Sequence, residues 1–315
     1  MKTLFVMDPL ERINVRGDST YMLMLAAQRR GWPVEMCTPR DLWVQDGQTW
    51  GRCTSVRIAT GPQPFLTEPA VDRPLADFDV VWMRKDPPFD MAYIFTTYLL
   101  EALPPSVLVL NRPESIRSCN EKLFTLQFLR FISPTLISHE VKRIKAFAQA
   151  APGRIVLKPW DGNGGRGVLV TEAGDPNLAS MIEVLTQEER VAIIAQHYVP
   201  EIVDGDKRII LVDGEPVGWM LRVPQKGDHR GNMHAGASVV ACALSERDRE
   251  VCAALGPELR RRGLMFVGID MIGPCLTEIN VTSPTGIQEI NELMGLRLEE
   301  TVTDAVVEAL ARHRA

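Results

Sequence analysis

Several signatures are missing from the chain, and each absence removes a class of protein. No apolar run approaches the ~18 residues that a membrane-spanning helix needs. The apolar start Leu4-Phe5-Val6-Met7 is cut off by Asp8-Pro9, too short for the core of a secretory signal. The six cysteines (Cys37, Cys53, Cys119, Cys242, Cys252, Cys275) form no C-x-x-C pair, which argues against a zinc ribbon or a disulfide framework and for free thiols in a reducing compartment. Basic charge is not in excess: 35 Lys and Arg against 40 Asp and Glu leave a net −5, so no global field gathers nucleic acid or anionic lipid, and an anionic ligand has to be held locally. The five histidines show no H-x-x-x-H spacing, and there is no G-x-S-x-G elbow. Internal repeats and low-complexity tracts are absent too. A cytoplasmic, soluble protein with no nucleic-acid or membrane partner is expected.

What is there fits a globular chain. The 315 residues are 45% hydrophobic and 24% charged, enough for about two domains, or three small ones. Strand-like runs at 3–7, 34–38, 79–83 and 107–110 alternate with helical stretches at 20–30 and 92–102, a pattern of parallel α/β structure. Pro62, Pro64, Pro69 and Pro74 make the stretch from Gly61 to Pro74 a loop. A second unit begins near Ser118, where Ser118-Cys119-Asn120-Glu121 fits a capping box for a helix to about Phe131, with Lys122 in its first turn. Strands at 155–158 and 168–171 flank a glycine-rich turn, and a helix follows at about 177–186. From Ala192 strands dominate, at 192–198, 207–212 and 216–222, with Asp213-Gly214 as a hairpin turn. A Gly-rich loop at 224–238, a helix at 245–262, strands at 268–272 and 276–281 and a final helix after about Leu298 complete the chain.

Two constellations carry chemistry. Gly162, Gly164 and Gly167 spell G-x-G-x-x-G, yet Val168 to Thr171 continues as a strand where a dinucleotide fingerprint needs a helix, and no G-K-[ST] makes it a P-loop. What remains is a glycine hairpin whose backbone N–H groups could close over phosphates, with Lys158 just before it; a plain flexible hairpin is the alternative. Glu278 and Asn280 lie at i and i+2 on one strand face. If Gly273-Pro274-Cys275 is a three-residue hairpin loop, Asp270 stands opposite Glu278, and three hard oxygen side chains converge as Mg²⁺ with substrate phosphates requires. Ile269, Met271, Ile279 and Val281 fill the other face; a solvated polar strand face is the alternative. Asp206-Lys207-Arg208 and Arg222 add charge on neighbouring strands, and Arg84-Lys85-Asp86-Pro87-Pro88 ends a strand of the first unit, where an α/β sheet binds ligands. Asn232 and the glycines around it suit a lid.

These motifs resemble the ATP-grasp superfamily, and within it the prokaryotic-type glutathione synthetases: V-M-D-P at 6–9, M-R-K-D-P-P-F-D at 83–90, N-E-K-L-F at 120–124, L-K-P-W-D-G-N-G-G at 157–165, D-G-D-K-R at 204–208, R-G-N at 230–232 and L-T-E-I-N-V-T-S-P-T at 276–285. The resemblance implies an α/β ATP-grasp fold with an N-terminal parallel-sheet (pre-ATP-grasp) substrate domain at 1–119, a small α+β lid domain at 120–197 and a C-terminal α+β catalytic domain at 198–315. It implies an ATP-dependent ligase that joins γ-L-glutamyl-L-cysteine to glycine through an acyl phosphate, with an ATP-grasp ligase for another carboxylate and amine as the alternative. Lys122, Lys158, Gly164, Gly165, the hinge Gln196-His197-Tyr198-Val199 and Asp206 would bind ATP. Asp270, Glu278 and Asn280 would hold Mg²⁺, two ions, with Mn²⁺ as a substitute. Arg208 and Arg222 would be catalytic, and Arg84, Asn232, Ser283 and Thr285 would bind the substrates. A homo-oligomer, a tetramer, is implied. The chain departs from relatives at Arg166-Gly167 and at Gly286.

Overall fold

The computed structural model describes residues 1–59, 63–162, 164–225 and 236–314. Its strands fall into three sheets. The first holds β1 (Thr3–Val6), β2 (Val34–Cys37), β3 (Leu42–Gln45), β4 (Gln48–Ile58), β5 (Phe65–Thr67), β6 (Val71–Pro74), β7 (Val80–Met83) and β8 (Leu108–Leu110), in the order β3-β4-β2-β1-β7-β8. Strands β2, β1, β7 and β8 are parallel as the alternating pattern predicts. The antiparallel β4 extends that centre, and β5 and β6 pair with β4. The expected loop before Pro74 therefore carries two short strands: proline is tolerated at a sheet edge, where its missing N–H costs no ladder bond.

Helices α1 (Ser19–Arg29) and α2 (Met91–Glu101) are each opened by an aspartate that accepts a backbone N–H of the first turn, Asp18 from Tyr21 at 2.7 Å and Asp90 from Tyr93 at 2.9 Å. A short helix α3 (Pro113–Ser118) comes next, so Ser118 ends a helix instead of capping one. The expected regular helix to Phe131 is a 3-10 segment, Leu123–Phe131, interrupted at Phe128. The turn that leads into it is held by Asn120, whose Oδ1 accepts from the N–H groups of Lys122 and Leu123, both at 3.0 Å.

The second sheet is antiparallel, ordered β11-β10-β12-β9, from β9 (Thr135–Ser138), β10 (Ile155–Pro159), β11 (Leu169–Thr171) and β12 (Ile193–His197). Helices α4 (Val141–Ala150) and α5 (Leu178–Leu185) cover one face over a core of Ile144, Ile155, Leu157, Ile182 and Ile193. The third sheet, ordered β15-β14-β13-β16-β17, is built from β13 (Asp206–Val212), β14 (Glu215–Val223), β15 (Ser238–Val240), β16 (Phe266–Ile272) and β17 (Cys275–Asn280). Helix α6 (Glu246–Arg262) has the Ser245/Asp248 capping box and ends on Gly263. Helices α7 (Ile287–Met294) and α8 (Leu298–Arg314) close the chain; Ile287, Ile290, Val302 and Val306 belong to the same buried cluster as Phe5, Met24 and Trp82 of the first sheet and Ile210 and Met220 of the third.

Candidate active site

The site is assembled on the β16–β17 hairpin. Asp270 pairs with Glu278 and Gly268 with Asn280, as expected, but the route differs. The turn is the two residues Gly273-Pro274, with Ile272 opposite Cys275 and Met271 opposite Leu276, and one extra residue, Thr277, bulges from β17 and restores the register. Thr277 Oγ1 holds the bulge by donating to the Asp270 carbonyl at 3.0 Å. On the far face Ile269, Met271, Ile279 and Val281 are all buried in one core, as the alternation predicts.

Behind Asp270 stand two buried arginines from β13 and β14. Arg208 grips both carboxylate oxygens, Nε to Oδ1 at 2.6 Å and Nη2 to Oδ2 at 3.0 Å, and Arg222 Nη2 lies 3.0 Å from Oδ1 and 2.5 Å from Asp206 Oδ2. Asn280 Nδ2 donates to Asp270 Oδ2 at 3.2 Å. Burial would push Asp270 up, but the two guanidiniums override it and hold the carboxyl well below the usual aspartate range. Asp206 goes the other way: burial outweighs Arg222 and pushes it up to about 7. Two buried polar atoms of this cluster, Asp206 Oδ1 and Arg222 Nε, have no hydrogen-bond partner among the described residues.

Two lysines face this cluster. Lys122 Nζ bonds to Glu121 and to the Gly162 carbonyl, and lies 3.4 Å from Glu278. Burial works against its charge, yet Glu278 and Glu121 prevail and raise its pKa. Lys158 is lowered by burial. Strand alternation explains its aim: Ile155 and Leu157 of β10 enter the core under α4 and α5, so Val156 and Lys158 point the other way. A cleft between the second and third sheets is lined by Lys122, Lys158, Gly165, Gln196, His197, Tyr198, Val199, Asp206, Asp270 and Glu278, all expected there. The glycine turn is an antiparallel β10–β11 connection, Val156 opposite Val170, as the strand after the glycines predicts, and Gly164, Gly165 and Gly167 all have positive φ.

The expected hinge leaves β12 at His197, whose ring packs on Phe147 at 5.0 Å, while Tyr198 sits under the Arg154 guanidinium at 4.0 Å and Gln196 Nε2 donates to Thr135 at 2.8 Å. Sequence reasoning missed the apolar walls here, Val156, Val170, Ile202 and Ile272, although the period-two alternation of β10 already marks Val156 as turned from the core. It also missed Glu121, which burial and then Glu278 push up to about 7.

Arg84, Ser283 and Thr285 meet elsewhere, around the segment before α7. Arg84 Nη2 donates to the Pro284 carbonyl at 3.0 Å, its Nε to Thr20 at 3.0 Å, and Arg208 Nη1 to the Thr285 carbonyl at 3.2 Å, so one segment joins both arginines. Arg84 Nη1 is buried with no hydrogen-bond partner among the described residues. Beside it a second groove is lined by Asp8, Arg12, Asn14, Asp18, Lys85, Asp86, Thr285 and Glu289; the K-D-P-P run at 85–88 was the signal for it. Asn232 lies outside the described residues, as does most of the expected lid loop at 224–238. Among the described residues no cluster of three His, Cys, Asp or Glu side chains gathers as a metal site by itself.

The comparisons agree with one another. Residues 1–117 match the family described as prokaryotic glutathione synthetase, N-terminal domain, and residues 121–295 match prokaryotic glutathione synthetase, ATP-grasp domain. The chain is 47% identical over 309 residues to the glutathione synthetase of Pseudomonas aeruginosa, covering 97% of each, and 46% identical to that of Parasynechococcus marenigrum, covering 98% of this chain and 99% of the other. Among solved structures it resembles the D-cycloserine synthetase DcsG, with a TM-score of 0.68 at 15% identity over 98% of this chain and 99% of that one, and the macrocyclase MdnC from Microcystis aeruginosa, bound with its precursor peptide MdnA, with 0.66 at 17% over 98% and 100%; at such identity these show the ATP-grasp fold alone. Two profile matches that together span nearly the whole chain, and relatives at such identity end to end, place this chain in the prokaryotic glutathione synthetase family.

Proposed function

We propose that this cleft joins γ-L-glutamyl-L-cysteine to glycine at the expense of ATP, giving glutathione, ADP and phosphate through an acyl phosphate. The observation that carries this reading is the opposition of two buried lysines, Lys122 and Lys158, to the Asp270/Glu278/Asn280 hairpin, with Arg208 and Arg222 directly behind it. Adenine fits between Val156, Val170 and Ile272 against the Gln196–Val199 hinge, and Gly164, Gly165 and the two lysines take the phosphates, with Asp206 nearby.

Phosphoryl transfer asks a protein mainly for alignment and charge neutralisation. The cysteinyl carboxylate attacks the γ-phosphorus and ADP leaves; the glycine amine then attacks the acyl carbon and phosphate leaves. Among the described residues Arg222 Nε and Arg84 Nη1 have no hydrogen-bond partner, which makes them donors able to hold a carboxylate and, later, the tetrahedral oxyanion. Asp270 keeps Arg208 and Arg222 aimed. Mg²⁺, two ions, or Mn²⁺ in its place, would neutralise phosphate oxygens, held by Asp270, Glu278 and Asn280; this hard-oxygen set fits an ion that arrives with its phosphates. The second groove suits the α-amino acid end of the γ-glutamyl group, since Asp18, Asp86 and Glu289 oppose an ammonium and Arg12 and Lys85 a carboxylate. Ser283 and Thr285 lie where glycine would approach, and Asn232 is retained as a substrate ligand.

A division at 1–119, 120–197 and 198–315 follows sheet membership. A cytoplasmic homo-oligomer, a tetramer, is part of the same reading; Met91, Phe95 and Tyr98 form an exposed apolar stripe on α2 that supports self-association, and light scattering tests it. Among the described residues no helix is long and apolar enough to cross a membrane. The decisive experiment is ADP release with ATP, Mg²⁺ and γ-glutamylcysteine, with and without glycine, the product identified by mass. Glycine-dependent release with glutathione formed supports the reading; ATP binding without turnover rejects the substrate pair and favours a ligase for another carboxylate and amine.

A further inference from the structure

We infer that Arg166, on the limb of the glycine turn that returns to β11, is a third cation for the ATP polyphosphate, acting beside Lys122 and Lys158. The inference rests on the ATP reading of the cleft. Arg166 is exposed, it lines that cleft, and among the described residues its guanidinium has no ion-pair partner. Of the other cations at the cleft, Lys122 is spent on Glu121 and Glu278, Arg208 on Asp270 and Arg222 on Asp206 and Asp270, which leaves Lys158, deep in the cleft, and Arg166, on its rim, as the two with no ion pair among the described residues. An exposed, unpaired arginine on the rim gains from an arriving polyphosphate without first giving up a protein partner, and its fork can take two phosphate oxygens at once.

The turn that carries it is tied to the same chemistry. Lys122 Nζ holds the Gly162 carbonyl at the start of the turn, and Gly167, immediately after Arg166, has φ +73° with Pro159 Cγ only 3.0 Å from where a Cβ would stand. The strand end at Pro159 and the lysine thereby fix the base of the turn from which Arg166 faces the cleft.

The test is initial-rate kinetics on the full chain with ATP varied at saturating γ-glutamylcysteine and glycine, for wild type, Arg166→Ala and Arg166→Lys. The expected result is a KM for ATP raised about tenfold in Arg166→Ala, the loss of one charge-assisted hydrogen bond, with kcat within about twofold and most of the loss recovered by lysine. Raising KCl should raise the wild-type KM more steeply than that of Arg166→Ala. A KM for ATP unchanged in Arg166→Ala, with the same salt dependence as wild type, overturns the inference. If wild type fails to turn over with this substrate pair, the functional reading fails on its own, and calorimetric titration with ATP still decides: an equal Kd for wild type and Arg166→Ala refutes the role of Arg166, and a weaker one upholds it.

Discussion

Asp270 is the carboxylate on which two buried guanidiniums depend, since Arg208 and Arg222 both reach it and, among the described residues, only Asp206 otherwise pairs with Arg222. Removing one partner of a buried ion pair leaves the other charge uncompensated, so Asp270→Asn should cost about 3–5 kcal/mol. A clear fall in Tm at neutral pH is the expected readout, together with loss of turnover, and an unchanged Tm would contradict the cluster. The pH sign follows. Its folded pKa is depressed, so its contribution is complete above the unfolded carboxylate value of ~3.9 and is lost as pH falls through the lower folded one. The Tm gap between wild type and Asp270→Asn should therefore be constant near neutrality and close only in acid. Glu278 differs: its side chain is 27% exposed and faces Lys122 across the cleft, so Glu278→Gln should keep the fold and lower kcat by about a hundredfold, with a small change in the KM for γ-glutamylcysteine. Unchanged turnover at saturating Mg²⁺ would remove Glu278 from the metal set. These residues were legible because strand alternation and hairpin register are rigid rules. The Arg208–Asp270 grip was not, because it depends on β13 lying directly beside β16, a pairing across sixty residues of chain that no local pattern announces.

Elements differ in how far local chemistry decides them. The caps at Asp18, Asp90 and Ser245 act within one turn, and their helices begin where the sequence indicates. Ser118 has the same pattern but lies inside the last turn of α3, and the turn two residues later is held by Asn120 instead. Strands β5 and β6 exist because β4 offers them a partner, which composition alone does not reveal. Gly286 shows the same dependence at the start of α7. Its φ of +118° is glycine territory, and a Cβ there would stand 2.8 Å from Met220 Cε. The methionine can yield but the backbone cannot, so Gly286→Ala should cost about 1–3 kcal/mol through strain. Because the adjacent Thr285 carbonyl anchors Arg208, the variant should also raise the KM for glycine severalfold more than the KM for ATP; equal shifts in both would detach Thr285 from the glycine end.

At the scale of the molecule, the first and third sheets share one interior in addition to a buried face of their own. One cluster runs from Phe5 and Trp82 through Ile287, Val302 and Val306 to Ile210 and Met220. Asn111, buried at the end of β8, donates to the carbonyls of Phe266 and Val281, both at 2.8 Å, and accepts from the N–H of Phe266 at 2.9 Å. The second sheet is different, since Ile144, Leu157, Ile182 and Ile193 close a core of its own. Opening that unit exposes its own small core and the cleft, whereas opening the body must break the shared cluster and the Asn111 clamp together. Native-state hydrogen exchange should therefore find two levels of opening, with amides of Leu157 and Ala195 exchanging through a smaller free energy than those of Ile209 and Ile269. On the proposed reading ATP with Mg²⁺ would span both walls of the cleft, so it should raise protection of the second sheet toward that of the body, by an amount set by ligand concentration over Kd. Equal exchange free energies for the two groups without ligand would mean that the three sheets unfold as one, and that closure over nucleotide cannot work by the second sheet moving alone.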